Sequence, residues 1–512
     1  MIDVLRLPVI GRALKHKRGR LLLQIPLTVL ALLLIYDGFT GTQNAAQNLA
    51  TISAWVHYRG LIIVALLLVG NLFCMGCPFT LPRTLARRLS LRGRRFPRAL
   101  RNKWVSIGAL LALFFVYEWL DLWASPALTA WVIVAYFAAA FVLEAAFTES
   151  AFCKYVCPLG AFNFAYSTAS PTQIGVKNPD VCRACVGKEC VNGSYSPQPL
   201  VLIDTIPVAS GAMQHTHDAG GVLGCGTLLY APQMQSNMDC TLCLDCVRAC
   251  PHDNASLFVR PPGAELTRAR GTTVKRKTAR GLALTREGVW GNRLDLAFLV
   301  IGLAFMGLIN AFGMVPPVYA LMESLVDALG LRAAGWSNAA MEGVALLAIF
   351  GVGAVIAPLA CAFGAASVSR WLTHTRKRDT LRTALTAFAP AFVPIGLGLW
   401  AAHYGYHFVI GFWSIVPAFQ AFLIDHRVHI LGEPDWTLGG APNLALIGAL
   451  QTIALLGGFA AALWVAQRIA LRVYRRDALL GLLPWALLLV GMMLVGLWLF
   501  SQPMEMRGSL FD

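Results

Sequence analysis

Long apolar runs separated by short basic blocks set the rhythm of this chain. They lie near residues 21–36, 58–78, 104–123, 127–150, 294–314, 340–368, 383–403, 443–467 and 478–500. About 20 helical residues cross the ~30 Å hydrocarbon layer, so the pattern predicts a mainly α, polytopic membrane protein of about nine spans. Residues 159–291, between the fourth and fifth runs, are far more polar. The expected organisation is a four-span membrane domain over 1–158, an inserted domain over 159–291, and a C-terminal membrane domain of about five spans over 292–512. The 403–442 segment leaves room for a re-entrant helix. A basic stretch followed by one apolar run also describes a cleaved signal peptide. No small-residue cleavage site follows Tyr36 and more spans come later, so a retained first helix is expected.

Composition agrees with the pattern: 57% of residues are hydrophobic and 13% charged, against about 25% charged in ordinary soluble domains. The net charge of +16 would suit nucleic acid, but the basic residues are not interleaved with aromatics as in single-strand binders. Their placement follows the membrane instead. With nine spans and the N-terminus inside, 38 of the 42 Lys and Arg fall on the inner side. Arg59, Arg332, Arg427 and Arg507 are left outside. That asymmetry is the positive-inside signature, and it puts the inserted domain in the cytoplasm, with a bacterial inner membrane as the expected location. The basic 264–290 linker faces the same side. No P-loop or Gly-rich dinucleotide turn occurs, so neither ATP hydrolysis nor NAD binding is indicated.

Twelve of the 13 cysteines fall into clusters, and on a reducing side thiols serve as metal ligands rather than disulfides. Cys240, Cys243, Cys246 and Cys250, followed by Pro251, have the C-x2-C-x2-C-x3-C-P spacing of bacterial ferredoxins, in which the last cysteine serves the other cluster. A zinc knuckle would use paired C-x2-C units. Cys182, Cys185 and Cys190 form a second, less regular set, with Cys225 alone between them. The expectation is an inserted cytoplasmic two-cluster ferredoxin-like domain. One [4Fe–4S] cluster is assigned to Cys182, Cys185, Cys190 and Cys250, the other to Cys240, Cys243, Cys246 and Cys225. Cys225 also reads as a plain buried thiol.

The second and fourth runs end in matching motifs, Cys74-Met-Gly-Cys77-Pro78 and Cys153-Lys-Tyr-Val-Cys157-Pro158, which suggests a duplicated hairpin. Each proline should end its helix, leaving both pairs at the inner membrane edge. They read as ligands for a further metal or cluster, as a redox dithiol, or as small buried residues. Cys361 reads as packing. Toward the outer side, His403 and His407 are one helical turn apart, with His426 and His429 nearby. They read as ligands to a metal or haem, as contacts to a quinone, or as interfacial histidines. His215 and His217 have no recognisable framework.

Together, Cys153–Pro158 and Cys240–Pro251 resemble the NapH/NosR-type membrane polyferredoxins, over about residues 20–260. That resemblance implies quinol oxidation and electron delivery to periplasmic nitrate or nitrous-oxide reductases. A related branch assists copper delivery to cytochrome oxidase. The chain departs from the pattern in the shorter Cys74–Cys77 spacing, the irregular Cys182–Cys190 set and the extra C-terminal spans. The expected function is electron transfer between quinol or a cytoplasmic donor and a membrane or periplasmic acceptor. The expected partners are the lipid bilayer, the quinone pool or a redox protein, and no nucleic acid. A metal-handling factor for a respiratory enzyme is the alternative. A transporter is disfavoured by the scarcity of ionisable residues within the runs.

Overall fold

The computed structural model describes residues 2–16, 18–81, 94–147, 149–194, 222–268, 274–278, 281–285, 290–375, 380–440 and 442–504. His215, His217, most of the Arg83–Lys103 loop and much of the 264–290 linker lie outside them. The protein is mainly helical. Among the described residues, seven helical stretches are long and apolar enough to cross a membrane: Leu21–Thr40, Leu49–Leu68, Pro126–Ala146, Leu294–Phe312, Asn338–Leu372, Leu381–Ile410 and Leu444–Ser501. The last divides at Arg475, whose φ is 54°, into helices Leu444–Tyr474 and Ala478–Ser501 packed against each other. The third expected run forms the shorter helix Trp104–Trp119. Within 403–442, an apolar helix covers Ile415–Asp425.

Leu381–Ile410 is the buried axle of the membrane part, packed on Leu444–Tyr474, Leu294–Phe312 and Leu49–Leu68. Two glycines let its backbone approach Leu444–Tyr474. A Cβ on Gly398 would lie 2.6 Å from the Ala454 carbonyl oxygen, and one on Gly458 would lie 2.7 Å from that of Pro394. Small residues at a crossing are the usual means of close helix contact in membranes. Gly398→Ala is expected to cost about 1–3 kcal/mol by overpacking, read as a lower thermal midpoint of the detergent-solubilised protein.

The second run folds differently from its sequence reading. Its helix begins at Leu49 and stops at Leu68, and the chain turns at Gly70, whose φ is 123°. The Gly70 amide closes the helix by bonding to the Ala65 carbonyl at 2.7 Å. A short helix, Leu72–Gly76, then runs back along the one it left. The Phe73 ring lies 4.6 Å from that of Tyr58, although fifteen residues of straight helix would separate them by about 22 Å. A second fold-back follows Pro126–Ala146, bringing Phe152 within 6.2 Å of Tyr136. Pro78 and Pro158 stop the preceding turn as expected, holding Cys77 and Cys157 extended. Each also occupies the first position of a new helical turn, where its fixed φ suits and its missing N–H costs nothing. The helix Pro158–Ser167 is buried from Gly160 to Ser167.

The cysteine-rich segment packs around a three-stranded antiparallel sheet of order β1–β3–β2, where β1 is Ile2–Asp3, β2 Thr172–Val176 and β3 Ala255–Val259. Register pairs Asp3 with Phe258 and Ile174 with Leu257. Its small core joins Leu5, Ile174, Leu257, Leu242 and Leu244 to Met75 from the fold-back helix. Lys103, 1% exposed at the start of Trp104–Trp119, forms an ion pair with Asp239 at 2.5 Å. Arg260 and Glu265, both fully buried, pair at 2.7 Å. The Lys103–Asp239 pair ties the cysteine layer to the helix that begins at Trp104.

Candidate functional site

The thiols fall into three groups in succession. In the first, Cys182, Cys185, Cys190 and Cys250 line one cleft with about 340 Å³ of atom-free space, together with Val176, Tyr230 and Asn254. Asn254 is fixed by paired bonds with Asn178 at 2.7 and 2.9 Å. So held, it donates from Nδ2 to the Cys182 sulfur at 3.0 Å and from its backbone to the Cys250 sulfur at 3.4 Å. The Cys185 thiol donates to Glu189 at 3.2 Å. Burial pushes the Cys190 thiol up to about 11 and raises Cys182 as well. A metal bound by these thiols would have to displace their protons, and its binding would strengthen as pH rises.

The second group is Cys240, Cys243 and Cys246, all buried, with Cys225 within electrostatic range of each. Burial again raises the three thiols, Cys243 to about 11. The loop wraps because Asp239, Leu242 and Leu244 adopt φ of 68°, 52° and 62°. Left-handed backbone costs an ordinary L-residue about 1–2 kcal/mol, and such strain concentrates at functional sites. Successive turns of this kind aim amide N–H groups into a concavity, as iron–sulfur sites require. The Leu229 amide donates to the Cys225 sulfur at 3.4 Å. The Cys225 amide bonds to the Cys190 carbonyl at 3.0 Å, so the first two groups adjoin.

The third group comprises Cys74, Cys77 and Cys157, mutually within electrostatic range. They adjoin the start of Leu21–Thr40, where Gln24 Nε2 donates to the Cys77 carbonyl at 3.2 Å. Their neighbours are Tyr58, midway along Leu49–Leu68, and Tyr136, midway along Pro126–Ala146. Asn163 Nδ2 lies 3.5 Å from the Cys74 sulfur, and Gly160 N–H donates to the Cys157 sulfur at 3.1 Å. Cys153 precedes Cys157 on the π-helical turn Phe152–Val156. Cys74 is also within range of Cys240, and Asn71 Nδ2 donates to the Cys240 carbonyl at 3.0 Å. Arg20 clamps the junction, bonding the Met75 carbonyl at 2.9 Å and Thr80 at 2.8 Å, with Asp245 at 3.7 Å.

Other residues depart from the sequence reading. Cys361 is exposed on its helix rather than packed inside. Arg59 is not an outer loop charge. It is 6% exposed within Leu49–Leu68, caged by the rings of Trp55, Tyr117 and Tyr404 at 4.2–4.9 Å. His403 and His407 do share a face, with ring centroids 5.1 Å apart, and both are within electrostatic range of Arg59. His426 is engaged elsewhere, by Tyr36 at 2.9 Å and the Phe422 carbonyl at 2.7 Å. Among the described residues no three His, Cys, Asp or Glu side chains are grouped as ligands of a single metal ion. The asparagines, mid-helix tyrosines, Arg20 and Arg59 carry no sequence motif. Only a lone Arg59 beside an apolar run gave a signal.

Neither a protein-family profile, nor a curated protein, nor a solved structure matches this chain.

Proposed function

We propose that this is a membrane electron-transfer protein whose thiol groups hold redox centres in series. The observation that carries the reading is Cys74, which lies within electrostatic range of Cys240 on one side and Cys157 on the other. Thiol groups thus follow one another from the cysteine layer to the middle of two apolar helices. Cys182, Cys185, Cys190 and Cys250 would hold one [4Fe–4S] cluster, and Cys240, Cys243, Cys246 and Cys225 the other. The fit rests on convergent thiols, N–H donors directed at sulfur and a strained wrapping loop. Such clusters accept and release single electrons at potentials set by hydrogen bonds to sulfur and by burial. This chain's part is to supply those bonds through Asn254 and Leu229, and to place Arg20 where its charge favours electron-rich sulfur. The resemblance to NapH/NosR-type polyferredoxins points the same way, with the cysteine layer in the bacterial cytoplasm and quinone or a redox protein as partner.

Low-temperature EPR of anaerobically prepared, reduced protein tests this. Signals of [4Fe–4S] clusters are expected, diminishing as a quinone analogue is added. Their complete absence refutes the reading. Three thiols within electrostatic range of one another also suit a soft monovalent cation, which favours the second reading, a copper-handling factor. Copper bound at Cys74, Cys77 and Cys157, with cluster signals indifferent to quinone, decides for it.

A further inference from the structure

The first residues of the chain belong to two structures at once. Ile2–Asp3 is an edge strand of the sheet in the cysteine layer, and Leu21 opens the first long apolar helix. Between them lies a helix, Pro8–Lys15, with Pro8 in its first turn. Leu5 and Leu14 pack in the small core beside Cys240 and Cys246. Lys15 pairs with Asp253 at 2.8 Å, and Arg248 donates to the Leu14 carbonyl at 3.0 Å. One side of the helix is thus held by the cysteine layer.

The other side is bare. Val9 is 79% exposed and Ile10 50%, and Leu7, just before the helix, is 49% exposed. At 3.6 residues per turn Val9, Ile10 and Ala13 share one face, with Arg12 at its flank. Arg6, Arg12 and Arg18 are exposed, and Arg6 reaches Asp3 at 3.8 Å. Residues 1–20 hold six Lys and Arg against one acidic residue. That residue is Asp3, which also accepts a bond from Ser256 in the sheet.

Continuity and charge together identify what covers this face. The chain turns at Gly19, whose backbone passes too close to the Ala13 carbonyl to leave room for a Cβ. The helix therefore abuts the foot of Leu21–Thr40. There Leu22, Ile25 and Val29 are also exposed and apolar, on a helix long enough to cross the hydrocarbon. The bare face continues that lipid-facing surface at the level where hydrocarbon gives way to headgroups. A helix with an apolar face and arginines at its flank lies in that plane, and exposed guanidiniums there attract anionic headgroups.

We propose that Pro8–Lys15, with the guanidiniums of Arg6, Arg12 and Arg18, docks on an anionic phospholipid surface. The proposal holds whatever the thiols bind. Hydrogen–deuterium exchange of the full chain tests it, in nanodiscs of phosphatidylcholine alone and of phosphatidylcholine mixed with phosphatidylglycerol. Amides of residues 6–16 are expected to exchange at least ~tenfold more slowly in the mixed lipid. Arg6→Gln combined with Arg12→Gln and Arg18→Gln is expected to abolish that difference. Val9→Ser combined with Ile10→Ser is expected to speed exchange in both lipids. All five residues are exposed, so exchange within the buried Leu381–Ile410 should stay as in the unmodified chain. Equal exchange of residues 6–16 in the two lipids overturns the proposal, as does a lipid difference that survives loss of all three arginines. Protection that instead rises with protein concentration in lipid-free micelles assigns the face to a second copy of the chain and also overturns it.

Discussion

Cys250→Ser is expected to remove the iron held at Cys182, Cys185 and Cys190 while sparing the group it follows in sequence. Cys225→Ser is expected to do the converse. In each variant, iron in anaerobically purified protein should fall from about eight per chain to about four, as one of two [4Fe–4S] clusters is lost. The geometric ground is that Cys250 lines the Cys182 cleft, whereas Cys225 lies with Cys240, Cys243 and Cys246. Retention of the full iron complement by Cys225→Ser refutes its assignment. Distinct EPR losses in the two variants would show that each removes a different centre. The two groups adjoin through Cys225 N–H and the Cys190 carbonyl, so the surviving signal should also shift slightly in each.

Replacing Lys103 by Met is expected to destabilise the protein by about 3–5 kcal/mol, the usual consequence of leaving one member of a buried pair without its partner. Lys103 is 1% exposed and meets Asp239, the residue immediately before Cys240. Its backbone N–H also bonds to Asp295 at 2.9 Å, where Leu294–Phe312 begins. Met keeps the length and that backbone bond but strands the Asp239 carboxylate. Asp239 holds a left-handed φ of 68°, so loosening it loosens the start of the cysteine run. The measurement is thermal unfolding together with iron content, both expected to fall. The double change Lys103→Met with Asp239→Asn should recover much of the stability, since no stranded charge remains.

Helices were legible wherever a long apolar run ended at a charge or glycine, as at Leu294–Phe312 and Leu381–Ile410. The 240–250 run was legible because two-residue gaps are a local constraint on one loop. The fold-backs were not. Gly70-Asn71 is a turn signal only two residues long, and Leu72 and Phe73 restore the apolar character at once, so the run reads as continuous. The approach of Cys74 and Cys77 to Tyr58 was hidden for that reason. Arg59 was misplaced by the same error in register: with the helix starting at Leu49 rather than residue 58, a residue taken for an outer loop charge lies midway along it. The asparagines that donate to Cys74 and Cys182 act across 89 and 72 residues of chain, a separation no spacing rule covers.

The sheet that organises the cysteine layer has a bearing on biogenesis. Asp3 receives a hydrogen bond from Ser256, 253 residues away, and three long apolar helices and two fold-backs lie between them. Closing so large a loop is a slow, non-local step. The strand Ile2–Asp3 must wait at the membrane surface until the segment through Val259 has been made. Until then the small core around Cys240 and Cys246 lacks Leu5, which follows that strand. Insertion of the first helices and closure of the sheet are thereby placed in a fixed order.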